Sequence, residues 1–155
     1  MCGAPEIDPC IFCEIVAHRA PASVVVEDEI VVAFLDVRPV TEGHILIVPR
    51  GHAAGLADLP PEVGAHLFTT AMQLAGALRR SDLRCDGVNL FLADGEAAVQ
   101  EVFHVHLHLF PRFVGDSFRI DADWSSKPSR SVMDEVAGRL RAVFSEPGFV
   151  VRTAE

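Results

Sequence analysis

Residues 100–112 read Q-E-V-F-H-V-H-L-H-L-F-P-R. The alternation of His104, His106 and His108 with Phe103, Val105, Leu107 and Leu109 decides how the rest of the chain is read. Successive side chains of a β-strand point to opposite faces. A strand over 103–113 therefore presents three imidazoles on one side and drives the four apolar side chains into a core on the other. At about 3.3 Å per residue, neighbouring histidines stand about 7 Å apart and the outer two about 13 Å. Two of them can share a metal ion, but all three reach one ion only with difficulty, so separate roles are physically more natural. Three groups that each charge near neutral pH are an electrostatic liability that a merely structural strand avoids with threonine or valine. The row points to function, whereas the isolated His18 and His66 read as ordinary structural residues.

The flanking sequence supplies partners for that strand. Residues 10–17 (C-I-F-C-E-I-V-A) fit a short helix, and residues 23–27 and 30–35 are β-branched runs parted by Asp28-Glu29, the pattern of a hairpin. A third strand is expected over 44–48, introduced by Gly43 and stopped by Pro49. After Asp58-Leu59-Pro60-Pro61, a helix start, apolar residues recur at helical spacing (Val63, Leu67, Phe68, Ala71, Met72, Ala75, Leu78) up to Arg80. Residues 88–92 read as a further strand, 93–102 as a loop, and 115–130 as polar and irregular around Trp124, with Ser131 capping a last helix to Phe144. Five strands and two or three helices predict an α+β domain with an antiparallel sheet.

Composition bounds the function. The 155 residues amount to one domain, and 50% hydrophobic residues with a mean hydropathy of +0.29 provide one packed core. Acidic residues outnumber basic ones by 22 to 13, giving a net charge of −9 and a pI near 5.2, the wrong sign for tracking a nucleic-acid backbone. No apolar run is long enough for a membrane span, and Met1 to Cys10 lacks the basic and apolar regions of a signal peptide, so a cytoplasmic location is expected. In a reducing compartment Cys2, Cys10, Cys13 and Cys85 are not a disulfide framework. Cys10 and Cys13 form C-x-x-C, read as half of a zinc site or as two ordinary cysteines. A redox pair is the weakest reading, because no strand pattern precedes the motif.

A neutral imidazole is itself a nucleophile near pH 7 when its other nitrogen donates to a carbonyl that fixes the tautomer. His106, flanked on both sides, is best placed for attack on phosphorus, with its neighbours stabilising non-bridging oxygens or protonating a leaving group. The preceding loop, with Gly95 and Gln100, offers N–H groups to a phosphate.

The run 100–112 resembles the signature of the histidine-triad (HIT) family. C-I-F-C-E-I at 10–15, F-L-D-V-R-P-V at 34–40 and G-H-I-L-I-V-P-R at 43–50 look like the family's N-terminal half in the same order. The likeness, to the bacterial zinc-containing type of HIT hydrolase, covers 10–113. It implies a HIT-like five-stranded antiparallel sheet with one long and one or two shorter helices, and leaves 114–155 as an extension whose terminal helix packs on the same domain. The resemblance further implies a nucleotidyl hydrolase or transferase acting on the α-phosphorus of a purine nucleotide conjugate, either a dinucleoside polyphosphate or a nucleoside phosphoramidate. In that reading His106 is the nucleophile and carries a covalent nucleotidyl intermediate, His108 contacts the phosphate, and His44 supports the site. Asp36 binds the ribose hydroxyls, Ile11, Phe12, Phe34 and Val37 form the slot for the base, and Gln100 lies on the phosphate side. Cys10, Cys13, His52 and His104 match the ligands of a structural zinc ion, a Cys₂His₂ set of suitable number and softness. A homodimer sharing the long helix is implied too. Ala93 and Val99 depart from the family pattern, where an amide residue and a glycine are common. Two other readings stand beside the enzyme: a nucleotide-binding module of low turnover, and a metal-dependent hydrolase using the histidine row as ligands.

Overall fold

The apolar runs of the first half become the middle of the sheet. In the computed structural model, which describes residues 10–146, β1 (Val24–Glu27), β2 (Val31–Leu35), β3 (Ile45–Pro49), β4 (Gly87–Phe91) and β5 (Leu107–Arg112) form one sheet. Its order is β1-β2-β3-β5-β4 and every neighbouring pair is antiparallel. The helices are α1 (Ile11–Val16), α2 (Pro61–Arg80) and α3 (Arg130–Phe144). Cys2, the leader reading of the N-terminus and residues 147–155 of the extension lie outside the described residues.

Burial explains why β2 and β3 are continuously apolar rather than alternating. Val31, Ala33, Ile45 and Ile47 face α2 and pack on Leu67, Ala71, Leu74 and Leu78. The intervening Val32, Phe34, Leu46 and Val48 face the other way and meet Phe12 and Ile15 of α1. A sheet covered on both faces has no polar side to show. Each aliphatic side chain fully buried there stabilises the fold by roughly 1.5–3 kcal/mol. Pro61 opens α2 at its first helical position, where a missing N–H costs nothing, and Arg79 and Arg80 sit at its C-terminal end, where positive charge suits the helix dipole.

Four expectations need correction. The histidine strand does not run from residue 103: β5 begins at Leu107, after a tight turn in which the His104 N–H bonds to the Val102 carbonyl at 2.9 Å. Phe103 is consequently 46% exposed, while Val105, Leu107 and Leu109 do enter the core on the α2 side. Pro49 is the last residue of β3, paired with Val31, rather than a stop before it. Phe68 and Met72 of α2 share its apolar periodicity, yet they lie outside the strip that the sheet covers and are 55% and 63% exposed. The cap of α3 is Ser129, whose side chain accepts from the Val132 N–H; Ser131 lies one residue inside the helix.

The described residues divide into two compact units, the first ending at Phe118 and the second beginning at Arg119. The second contains α3, an amphipathic helix with Val132, Val136, Leu140 and Val143 on its apolar side. Among the described residues no helix is long and apolar enough to cross a membrane.

Candidate active site and metal centre

The face of the sheet that carries α1 also carries a cavity of about 870 Å³. Phe34, Leu46, His106, His108 and Phe110 form its floor, Ile11 and Phe12 of α1 one wall, and the loops 36–44 and 93–102 the rim. The size suits a small organic ligand. The cavity brings together Asp36, Ile11, Phe12, Phe34, Val37, His44, His106 and His108 from four separate parts of the chain.

His104 does not share that cavity with the other two. Its ring lies fully buried, turned towards the start of α1, with Nδ1 3.5 Å from Sγ of Cys10 and 3.5 Å from Sγ of Cys13. The Nδ1 atom of His52 is 3.4 Å from Sγ of Cys13, and the four ligand atoms all lie within 4.8 Å of one another. Zinc bonds of 2.3 Å to sulfur and 2.0–2.1 Å to nitrogen give a tetrahedral S···N edge of roughly 3.5 Å, so the spacing fits the ion. The His104 Nε2–H donates to the Pro49 carbonyl at 2.9 Å, which leaves the Nδ1 lone pair directed at the thiols, the usual outer-sphere arrangement of a ligating histidine. Burial lowers the pKa of His104 and raises that of Cys13. Cys10, Cys13, His52 and His104 can hold a metal, and the donor set suits zinc.

The turn at Val102–His104 thus splits the histidine row. His104 belongs to the Cys/His cluster, and His106 and His108 stand side by side in the cavity with ring centroids 4.9 Å apart. The three do not converge on one point, which removes the geometric basis for the row as a single ligand set.

Hydrogen bonds assign the tautomers. His106 Nδ1 lies 2.7 Å from the His104 carbonyl, which only accepts, so Nδ1 carries the proton and the neutral ring keeps its lone pair on Nε2. The chain behind His108 is longer. The Val40 N–H donates to His44 Nδ1 at 3.4 Å, so the His44 proton is on Nε2 and is donated to His108 Nδ1, 2.9 Å away. His108 is left with its proton on Nε2. Burial, with His106 and His44 adding to it, pushes the pKa of His108 down to about 4; burial also lowers His44, against the pull of Asp36. Phe110 fixes both rings, stacked on His108 at 5.5 Å and packed on His44 at 4.3 Å. Gly43 sets the entry to His44: its φ is +86°, and a Cβ would stand 3.0 Å from Leu83 and 3.2 Å from Pro111.

Asp36 sits at the end of β2 with its Oδ1 accepting the Arg38 N–H at 2.8 Å. Its Oδ2 is 3.6 Å from His44 Nδ1, longer than a hydrogen bond, which leaves acceptor capacity facing the cavity. Gln100, expected beside the phosphate, does not line the cavity. Its Oε1 accepts the Gly95 N–H at 2.8 Å and its Nε2 donates to the carbonyls of Ala54 and Val102, so a buried amide braces the loop and also uses the Gly95 N–H that was expected to be free. Ala93 lines the cavity but offers no side-chain hydrogen bond. Val99 adopts φ 63° and ψ 38°, a left-handed conformation that is strained for a β-branched residue. Two features escaped sequence reading. The Pro49 carbonyl behind His104 has no sequence signal at all. The ion pair between Arg38 Nη2 and Glu101 Oε2, 3.0 Å apart on the cavity rim, joins residues 63 positions apart, and only their opposite charge could have hinted at it.

The HIT domain profile matches residues 17–115. The chain belongs to the HIT family. It is 40% identical over 139 residues to the protein hit of Bacillus subtilis, covering 84% of this chain and 94% of that one. It is 41% identical over 103 residues to the adenosine 5'-monophosphoramidase of Saccharomyces cerevisiae, covering 66% of this chain and 62% of that enzyme. Among solved structures, a zinc-bound histidine triad family protein from Mycobacterium smegmatis superposes with a TM-score of 0.70 at 39% identity, covering 87% of this HIT chain and 97% of that one. The five-stranded antiparallel sheet of the first unit is thus the HIT fold, and the family includes hydrolases of small nucleotide conjugates.

Proposed function

We propose that this HIT protein is a nucleotidyl hydrolase in which His106 Nε2 attacks the α-phosphorus of a purine nucleotide conjugate. The observation that carries the reading is the pair of opposite tautomers: a lone pair on Nε2 of His106 beside a proton on Nε2 of His108. One ring is built to attack and its neighbour to donate a hydrogen bond to a non-bridging oxygen. Attack forms the P–Nε2 bond and breaks the bond to the leaving atom. Because neutral imidazole is a poor acid, the leaving atom takes its proton from solvent rather than from His108. Water then attacks phosphorus, the P–Nε2 bond breaks, and the nucleoside monophosphate departs. The Asp36 carboxylate accepts from the ribose hydroxyls, and Ile11, Phe12, Phe34 and Val37 enclose the base. The phosphoramidase named among the relatives supports the reaction class.

Rapid quenching with adenosine 5'-phosphoramidate, followed by intact-mass spectrometry, tests the proposal. A mass increase of one nucleotidyl group is expected on the wild-type protein and none on His106→Asn. Turnover without an adduct, or an adduct that survives His106→Asn, refutes covalent catalysis by this residue.

Two further assignments belong to the same reading. Cys10, Cys13, His52 and His104 hold a structural zinc ion, which supplies cross-linking of chain segments rather than chemistry at phosphorus. The protein forms a homodimer through the edge strand β4 and the outer face of α2. Leu90 pairs with the core residue Leu109 and so points to the α2 side of the sheet, where it is 37% exposed; Phe68 and Met72 on α2 are more exposed still. An apolar patch beside an unpaired strand edge is suited to a symmetric partner.

A further inference from the structure

The cavity is poor in positive charge. Among the described residues that line it, the charged side chains besides the histidines are Asp36, Glu101 and Arg38. Arg38 already has a carboxylate partner, its Nη2 lying 3.0 Å from Glu101 Oε2, so an anion that approaches it also meets that negative charge. With His44 and His108 held neutral at pH 7 by burial, the lining carries two carboxylates against one guanidinium. A polyphosphate chain leaving the α-phosphorus would place several negative charges at this rim, in a protein whose net charge is −9. A leaving group that carries an ammonium would instead find the Glu101 carboxylate.

We propose that the Arg38–Glu101 pair on the cavity rim is a charge filter for the leaving group, accepting conjugates whose departing part is cationic and rejecting polyanionic chains. The pair is placed for this. Arg38 follows Asp36 by two residues, on the loop that receives the ribose in the proposed reading; Glu101 lies on the opposite loop, five residues before His106. Both side chains are largely solvent-exposed, at 82% and 68%, so they can exchange partners without an unpaired charge being buried. Glu101 can release Arg38 and pair with an incoming ammonium at little cost, whereas a phosphate competing for Arg38 still meets Glu101 and Asp36 close by. This rests on the proposed orientation of the nucleotide, with the base against α1 and the leaving group towards the rim.

The test separates charge from shape. Three adenosine 5'-phosphoramidates of similar size carry an N-(2-aminoethyl), an N-propyl or an N-(2-carboxyethyl) group, so that the departing amine is cationic, neutral or anionic. Their dissociation constants are measured by calorimetry in the His106→Asn background, where no turnover intervenes, with and without Glu101→Lys or Glu101→Gln. The expected order of affinity is cationic, neutral, anionic. Glu101→Lys should change the cation-to-anion ratio by about tenfold or more, which corresponds to about 1.4 kcal/mol, while Glu101→Gln should move it part of the way. The effect should shrink at 1 M salt, where the screening length falls to about 3 Å. A brace for the loops would shift all three ligands in the same direction, and that result overturns the proposal. So does an unchanged ratio, or failure of all three to bind. Absence of the His106 adduct together with the expected affinity order refutes the covalent mechanism and leaves the filter standing.

Discussion

At the scale of single residues, the decisive facts are which nitrogen holds each proton and what surrounds it. His106 and His108 differ by two positions and belong to the same motif, yet a backbone carbonyl behind one and a second histidine behind the other give them opposite capacities. The site is also pH-sensitive in a definite direction. Free histidine titrates near 6.5 and His108 in the fold near 4, so between those values the unfolded chain binds a proton that the folded chain refuses. Stability is then fully present above pH 6.5 and falls as the medium is acidified towards 4. Urea denaturation at pH 7 and pH 4.5 should show a loss in the wild type that is smaller in His108→Asn, by about 2 kcal/mol after allowance for solvent screening. Equal losses in the two proteins would contradict the assigned environment. Val99 shows the limits of reading residue types: its conflict with a positive φ was legible from the valine, but the loop accepts the strain rather than avoiding the conformation.

Elements are connected through the Cys/His cluster. Cys10 and Cys13 sit at the start of α1, His52 follows β3, and His104 precedes β5, so a metal there fastens a six-residue helix to the sheet. A helix so short has little stability of its own. It nevertheless supplies one wall of the cavity through Ile11 and Phe12. Cys10→Ser should therefore remove bound zinc, as measured by elemental analysis, lower the thermal midpoint and weaken nucleotide binding. His106→Asn should keep about one zinc per chain, since the proposed metal ligands and the proposed nucleophile are different histidines. Zinc lost equally from both variants would mean that the cluster and the cavity are not separate sites. Most elements were legible in the sequence, because β2 and β3 are continuous apolar runs and α2 repeats its apolar residues at helical spacing. The start of β5 was not, since a two-residue alternation cannot report a turn made by the backbone at Val102–His104.

At the scale of the whole molecule, the exposed apolar surface calls for a partner. Phe68 and Met72 continue the helical repeat of α2 beyond what one sheet can cover, and among the described residues β4 is an edge strand of the sheet. Light scattering should return about twice the 16.8 kDa of the chain, and Phe68→Asp with Met72→Asp should halve that mass while leaving the far-UV circular dichroism unchanged. A monomeric wild type would reject the shared helix. The sequence by itself determined the α+β class, the family and the residues from which a site can be made, because these follow from periodicity and from motifs that are local in the chain. Only the tertiary structure decided that a backbone turn at Val102–His104 sets His104 apart from His106 and His108, that Gln100 serves its own loop, and that Arg38 meets Glu101 at the rim. Each of those depends on a hydrogen bond or ion pair whose partner is a backbone atom or a side chain brought close by folding, and neither has a signature in the order of residues.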